Sequence, residues 1–223
     1  MQIDRLGIVG YGEVGRIFAA GLLERGVTDL AVWDLKFHAP APSASMQAAA
    51  QVAGVRTTDG VAALCVGREL IISAVTASST LAVAEAVAPH IERGAFFLDL
   101  NSASPGTKQQ AAAIIDAAGG HYVEAGVMTS VPPYGVRVPM LLGGAVAHVL
   151  QPVLATWGMD ATVVSERIGV ASATKMCRSV MIKGLEALVL ESYTTARHYG
   201  VEDAMIATLQ ETFPGIDWPQ QGA

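Results

Sequence analysis

The most constraining feature of the chain is a pattern of three glycines near its amino terminus. Gly10, Gly12 and Gly15 directly follow the apolar run 6–9 and precede apolar residues at helical spacing. In a strand–turn–helix unit, such glycines permit a tight turn, close approach of the backbone to a pyrophosphate, and close packing of helix on strand. The pattern predicts a dinucleotide site with the phosphates at the first helix; an ordinary structural turn is the alternative. We expect the cofactor to contact Gly10, Tyr11, Gly12, Glu13, Val14 and Gly15.

Asp34, nineteen residues beyond Gly15, bears on the choice of dinucleotide. A carboxylate after the second strand accepts hydrogen bonds from the ribose hydroxyls of NAD and repels the 2′-phosphate of NADP. Lys36 lies two residues further on, where its charge could neutralise such a phosphate. The predicted cofactor is therefore NAD, with NADP as the alternative.

Composition and charge narrow the function classes. The 223 residues, 52% of them hydrophobic, suffice for one large domain with a smaller appendage. A net charge of −6, a pI near 5.3 and the lack of any Lys/Arg run argue against a nucleic-acid partner. No apolar stretch has transmembrane length, and Asp4 and Arg5 precede the first strand without a signal-peptide hydrophobic region. We expect a cytoplasmic protein with no membrane partner.

The two cysteines, Cys65 and Cys177, stand alone, without a CxxC or a Cys/His cluster of metal-ligand spacing. This arrangement predicts neither a disulfide framework nor a zinc site. We expect both to be small, buried hydrophobic residues.

Short apolar runs alternate with segments of helical composition along most of the chain. The clear runs are 6–9, 30–33, 70–75, 96–100 and 122–127, and weaker ones lie at 54–57, 139–142 and 161–164. This alternation predicts an α/β fold, a Rossmann-type doubly wound parallel sheet, over residues 1–165. A helix is expected at 145–157, and the Pro-rich spacer 40–45 is predicted to be a loop before an alanine-rich helix.

The last part of the chain has the composition of helices. Residues 170–199 contain no proline and one internal glycine, which predicts one helix of roughly 45 Å at about 1.5 Å per residue. A second helix at 202–213 is expected to stop at the following Pro-Gly. We therefore predict that residues 166–223 form a long interdomain helix and a short all-α C-terminal segment, an abbreviated or truncated substrate or dimerisation domain.

Four segments occur in a characteristic order: GYGEVG at 10–15, DLNSASP at 99–105, EAGVMTSVPP at 124–133 and GVASATKMCRS at 169–179. With them the chain resembles the β-hydroxyacid dehydrogenases, and among these the 6-phosphogluconate-dehydrogenase-like NAD(P)-dependent oxidoreductases. The resemblance implies hydride transfer between a nicotinamide and a small hydroxyacid or sugar acid. By analogy, Val75 and Thr76 would border the nicotinamide ribose.

In the family that the chain resembles, the second motif has an Asp at a strand end, then a substrate-contacting Ser and a Pro. The matching residues are Asp99, Asn101 and Pro105, so Asn101 replaces the serine and Ser102 is adjacent. Since Asn also donates and accepts hydrogen bonds, a substrate contact by Asn101 or Ser102 is implied. Alternatively, Ser104 simply caps a helix that begins at Pro105.

The third motif of the family ends in Ser-Gly-Gly, which holds the substrate through backbone N–H groups. This chain has Met128, Thr129 and Ser130 there, so the hydroxyl groups of Thr129 and Ser130 would have to substitute for those contacts. A rigid surface loop at 131–133 is an equally open interpretation.

The fourth motif implies the reaction type. The family has a lysine for acid/base catalysis six residues after a glycine, and Gly169 and Lys175 match. Arg178 and Ser179 follow on the same helical face and are implied in substrate binding, although the family usually has Asn at the latter position. Free lysine, with a pKa of about 10.4, is a poor base at neutral pH, and burial beside Arg178 would lower that pKa. A solvated surface lysine is the alternative.

Departures from the family narrow the reaction further. Phosphogluconate dehydrogenases have a glutamate seven residues beyond the lysine, where this chain has Ile182, so oxidation without decarboxylation is favoured. Imine reductases of the same fold generally lack the lysine, which disfavours them. The missing glycines and the short tail leave a catalytically weak dinucleotide-binding or sensing protein as the alternative. We also expect a homodimer, because apolar residues on the long helix demand a partner.

Overall fold

Eight strands form one sheet in the part of the chain that the computed structural model describes, residues 1–38 and 44–221. They are β1 (Arg5–Val9), β2 (Asp29–Trp33), β3 (Arg56–Thr57), β4 (Leu70–Ser73), β5 (Phe96–Asp99), β6 (His121–Val127), β7 (Met140–Gly143) and β8 (Ala161–Ser165). The order across the sheet is β3-β2-β1-β4-β5-β6-β7-β8. All eight predicted strands are present, with small differences at their ends.

Helices connect these strands and make up the end of the chain. They are α1 (Glu13–Leu23), α2 (Ala44–Val52), α3 (Val61–Cys65), α4 (Thr80–Val87), α5 (Pro105–Ala117), α6 (Ala147–Thr156), α7 (Val170–Tyr199), α8 (Glu202–Thr212) and α9 (Trp218–Gln221). The predicted long helix is confirmed with its predicted bounds. Of the spacer predicted as a loop at 40–45, residues 40–43 lie outside the described residues, and α2 already begins at Ala44.

The Rossmann-type fold class is confirmed, with one departure from a wholly parallel sheet. β6 and β7 pair antiparallel, with Glu124 opposite Gly143 and Val127 opposite Met140. The connecting segment 128–139 contains a three-residue 3-10 helix and no crossover helix. Since a parallel neighbour normally requires a helical crossover, the chain returns here as an antiparallel strand.

Both faces of the sheet are buried along its central strands. Ile8 and Ile72 belong to one apolar cluster, whereas their neighbours Val9 and Ile71 belong to the other. Successive side chains of a strand point to opposite faces, so a strand covered on both sides needs a continuous apolar run. This is why such runs located the strands in the sequence.

The sheet changes its direction of winding between β1 and β4, which are neighbours although β2 and β3 intervene in the sequence. In open α/β sheets, ligands bind at the carboxyl ends of the strands beside such a switch point. The fold therefore predicts a ligand site at the turns that follow Val9 and Ser73.

By internal contacts the chain divides into two units, Met1–Lys175 and Met176–Ala223. The first contains the sheet and the first turns of α7; the second contains the rest of α7 with α8 and α9. The predicted domain boundary at residue 165 lies ten residues before this division and stays a prediction.

Much of α7 in the second unit is uncovered. Its exposed large apolar residues are Met176, Val180, Met181, Ile182, Leu185, Leu188, Leu190 and Tyr199. Cys177 is also exposed, so the prediction that both cysteines are buried is wrong for this residue, because this stretch of helix is largely uncovered. Cys65 is buried as predicted, and burial raises the pKa of its thiol to about 12.

Candidate active site

The turn between β1 and α1 has the geometry that its glycines predict. Gly10 has a φ of +94°, and a Cβ there would lie 2.4 Å from the carbonyl oxygen of Ala74. A Cβ on Gly15 would lie 1.9 Å from the carbonyl oxygen of Gly10, so only glycine allows α1 to pack this closely. A Cβ on Gly12, the N-cap of α1, would meet nothing within 4 Å. The backbone at Gly12 is therefore open to a ligand.

Asp34 is held at the end of β2 by two backbone N–H groups. Tyr11 N donates to its Oδ2 at 2.7 Å, and Lys36 N donates to its Oδ1 at 2.8 Å. A carboxylate has further lone pairs, so Asp34 can still accept hydrogen bonds from a diol. The Tyr11 ring is buried and packs edge-on against Phe37 at a centroid distance of 6.0 Å. Tyr11 thus serves this site through its backbone.

A cleft of about 590 Å³ lies between the glycine turn, Asp34 and α4. The predicted cofactor residues on its wall are Gly10, Gly12, Glu13, Val14, Asp34, Lys36, Val75 and Thr76. Leu35, which is 78% exposed, lines it as well, together with Ala82, Val83 and Ala86 of α4. Sequence reasoning missed these four; an apolar residue directly after the acidic one is the signal that could have found Leu35.

A second pocket of about 370 Å³ adjoins the cleft, because Val14, Ala74, Val75 and Thr76 line both. Five residues predicted from three separate motifs meet there: Asn101, Ser102, Thr129, Ser130 and Lys175. A further cavity of about 470 Å³ at the amino ends of β1 and β4 contains none of the predicted site residues.

Lys175 lies in the second turn of α7, and its Nζ donates a hydrogen bond to Ser102 Oγ at 2.5 Å. The lysine is partly buried, and it faces the polar loop that follows β5. An amine and a hydroxyl are thereby joined at the wall of the pocket. Arg178 and Ser179 belong to the second unit, and their role in substrate binding stays a prediction.

Asn101 has a different role from its neighbour. Its side chain is 4% exposed, its Oδ1 accepts from Val75 N at 2.7 Å, and its Nδ2 donates to Ser73 Oγ at 2.9 Å. Asn101 therefore ties together the segments that follow β4 and β5, whereas Ser102 is exposed. Ser104 caps α5, accepting from Thr107 N at 3.2 Å, as the capping interpretation predicts.

A cleft at the switch point beside a glycine-rich turn, with a polar pocket adjoining it, is typical of an α/β domain that binds a dinucleotide. Residues 5–165 match the family described as the NAD binding domain of 6-phosphogluconate dehydrogenase. The chain belongs to this family of NAD(P)-dependent oxidoreductases and carries its NAD-binding domain.

Two similar solved structures are longer than this chain. A conserved hypothetical protein from Sinorhizobium meliloti 1021 is 41% identical, with a TM-score of 0.85 over 97% of this chain and 72% of that one. A conserved protein of unknown function, described as structurally similar to 3-hydroxyacid dehydrogenases, is 30% identical, with a TM-score of 0.80 over 98% and 79%.

More distant structures share the fold. The 3-hydroxyisobutyrate dehydrogenase of Mycobacterium tuberculosis is 17% identical, with a TM-score of 0.77 over 98% of this chain and 72% of that one. An imine reductase from Myxococcus stipitatus, solved with NAD+, is 21% identical, with a TM-score of 0.78 over 96% and 73%.

Among the described helices, none is both long enough and apolar enough to cross a bilayer. The cytoplasmic location stays a prediction.

Proposed function

We propose that the chain transfers a hydride between NAD and a small hydroxyacid or sugar acid, with Lys175 as the acid/base. The contact between Lys175 Nζ and Ser102 Oγ, in a pocket that adjoins the dinucleotide cleft, carries this proposal. Acid/base catalysis requires such a group within hydrogen-bond reach of the reacting hydroxyl.

The residues present suit a dinucleotide. The open backbone at Gly12 and the positive end of α1 would receive the pyrophosphate. Asp34 would accept hydrogen bonds from the adenosine ribose and disfavour a 2′-phosphate, which supports NAD over NADP. Leu35 and Val83 line the cleft and would contribute apolar surface for the adenine ring.

NAD, when bound, supplies the hydride acceptor. The protein itself would move the proton. Neutral Lys175 would accept the proton from the substrate hydroxyl, and in the reverse direction the Lys175 ammonium would return it. Ser102, bonded to the same amine, would orient the hydroxyl of the substrate. Thr129 and Ser130 are both exposed at the pocket and would donate hydrogen bonds to the substrate carboxylate.

The third motif favours a second candidate, a dinucleotide-binding or sensing protein with little turnover. Met128, Thr129 and Ser130 stand where the family has Ser-Gly-Gly, so the backbone contacts expected for a hydroxyacid are altered. A cofactor cleft without an effective substrate pocket would still bind NAD.

The test is a panel of hydroxyacids and sugar acids, assayed for formation of the reduced cofactor with NAD and, in parallel, with NADP. We expect turnover with NAD, loss of turnover in Lys175→Met, and nearly unchanged NAD binding by titration. Lys183→Met removes an exposed lysine from the same helix and is the matched control.

Two results would overturn the proposal. NAD binding without turnover of any panel member would favour the sensing protein. Reduction of a cyclic imine, with no activity on any hydroxyacid, would instead assign the site to C=N chemistry.

A further inference from the structure

Two buried carboxylates lie side by side under the proposed site. Asp99 of β5 and Glu124 of β6 are paired in register, and both are fully buried. Neither is among the described residues that line the pocket or the cleft. Because a buried charge is costly unless it is paired and hydrogen-bonded, the partners of each carboxylate indicate its role.

Glu124 binds the start of α7. Its Oε1 accepts hydrogen bonds from Gly169 N at 2.6 Å and Ala171 N at 3.1 Å, and its Oε2 accepts from Ser172 N at 3.4 Å. N–H groups at a helix start have no partner within the helix, and negative charge is favourable there. Glu124 is therefore a cap supplied to α7 by the neighbouring strand.

Gly126, two residues along β6, sets how closely α7 approaches the sheet. A Cβ on Gly126 would lie 3.0 Å from the carbonyl oxygen of Ala171 and 3.6 Å from the Cβ of Lys175. Residues two apart in a strand face the same side, so Glu124 and Gly126 act on the same turns of the helix. These are the turns that carry Lys175.

Asp99 fixes the loop that carries Ser102, the hydrogen-bond partner of Lys175. Its Oδ1 accepts from Asn101 N at 2.8 Å and pairs with Lys108 Nζ at 3.0 Å, and its Oδ2 accepts from the Tyr122 hydroxyl at 2.5 Å. Burial lowers the pKa of Lys108, and the charges of Asp99 and Glu124 oppose that shift. The loop that presents Ser102 is thus anchored in the core.

We propose that Glu124 is a positioning residue that holds the Lys175 amine against Ser102 by capping α7, with Asp99 fixing the loop of Ser102. This inference rests on the proposed function of Lys175 and deepens it. In Glu124→Gln the negative charge at the start of α7 is lost and one carboxylate oxygen becomes an NH2 group, which cannot accept a hydrogen bond, so the N–H groups of Gly169, Ala171 and Ser172 are no longer all satisfied. The first turns of α7 then shift, and the amine leaves Ser102.

The experiment compares wild type with Glu124→Gln and Glu124→Asp. Glu69→Gln is the matched control, because Glu69 also accepts two backbone N–H groups, those of Asp4 and Arg5, at 3.0 Å each. The reactivity of the Lys175 amine is measured by trace acetylation with acetic anhydride and mass spectrometry, with Lys36 as the internal reference. We expect severalfold faster acetylation of Lys175 in Glu124→Gln, a smaller increase in Glu124→Asp, and none in Glu69→Gln.

Kinetics provide the second measurement. A misplaced catalytic group costs up to about 100-fold in rate, so kcat of Glu124→Gln should fall by about 10- to 100-fold, with partial rescue in Glu124→Asp. NAD affinity should not change, because none of the described cleft residues belongs to α7.

Unchanged Lys175 acetylation in Glu124→Gln, or an equal increase in Glu69→Gln, would overturn the positioning role. If wild type turns over no hydroxyacid, the proposed function fails, while acetylation still decides the role of Glu124. If Glu124→Gln does not fold, acetylation of Lys175 is measured in Glu124→Asp and in Gly126→Ala, whose added Cβ would lie 3.0 Å from the carbonyl oxygen of Ala171.

Discussion

At the scale of single residues, the adjacent side chains of Asn101 and Ser102 in the second motif make different contacts. Asn101 stands where the family that the chain resembles has its substrate-contacting serine, yet its amide is bonded to Val75 N and Ser73 Oγ. Ser102 is exposed and bonded to Lys175. Sequence alone could not separate these roles, because both side chains can donate and accept hydrogen bonds.

Substitution at these two positions should therefore affect different properties. Asn101→Leu leaves a half-buried N–H of Val75 and the buried hydroxyl of Ser73 without this partner, and it should lower the free energy of unfolding by about 1–3 kcal/mol. Ser102→Ala should change that free energy by less than about 0.5 kcal/mol while lowering kcat/KM. Urea unfolding and steady-state kinetics measure the two effects. A stable, inactive Asn101→Leu would instead argue for direct substrate contact.

At the scale of elements, a carboxylate ties the start of β1 to the start of β4. Glu69 accepts hydrogen bonds from Asp4 N and Arg5 N and pairs with the Arg5 guanidinium at 3.5 Å. The hydrogen bond from Asp4 N is the largest cause that lowers the pKa of Glu69 below its ordinary 4.5, aided by Arg5 and opposed by burial. The folded protein therefore favours the ionised carboxylate.

This lowered pKa predicts a pH-dependent contribution to stability. The unfolded chain binds the proton more tightly, so stability from Glu69 is present above about pH 4.5 and is lost as pH falls through the folded-state pKa. Glu69→Gln cannot titrate, so the difference in unfolding free energy from wild type should be largest at neutral pH and shrink on acidification. Urea unfolding at neutral pH and at about pH 3 measures this difference. A difference independent of pH would contradict the expectation.

At the scale of the whole molecule, the exposed apolar residues of α7 bear on assembly. Leu185 and Leu188 are 56% and 68% exposed, and exposed apolar patches mark interaction sites. We propose that the chain forms a homodimer through this helix. Size-exclusion chromatography with light scattering should give about twice 23.1 kDa.

The dimer should depend on this helix. Leu188→Glu should give the monomer mass, because burying an unpaired carboxylate in an interface is costly. Val66→Glu introduces the same charge at a residue that is 69% exposed in the first unit, and it should leave the mass unchanged. A wild-type mass of 23.1 kDa would contradict the proposal.

The sequence alone sufficed for the features that depend on short-range chemistry. The glycine turn could be predicted because only glycine tolerates the positive φ of Gly10 and the close approach of Gly15 to the carbonyl oxygen of Gly10. The strands are visible because burial on both faces demands continuous apolar runs. The helix that carries Lys175 is visible because nothing in residues 170–199 breaks it.

The tertiary structure decided the features that depend on which distant residues meet. The antiparallel return of β7, the bonding of Asn101, and Leu35 on the cleft wall follow from packing between elements. Lys175 and Ser102, which form a hydrogen bond, are 73 positions apart in the sequence. Glu124 and Gly169, which form the first of the capping bonds of α7, are 45 positions apart. No local pattern encodes such pairs, because a lysine or a glutamate has the same chemistry on a surface as in a core, and only the folded chain supplies its partner.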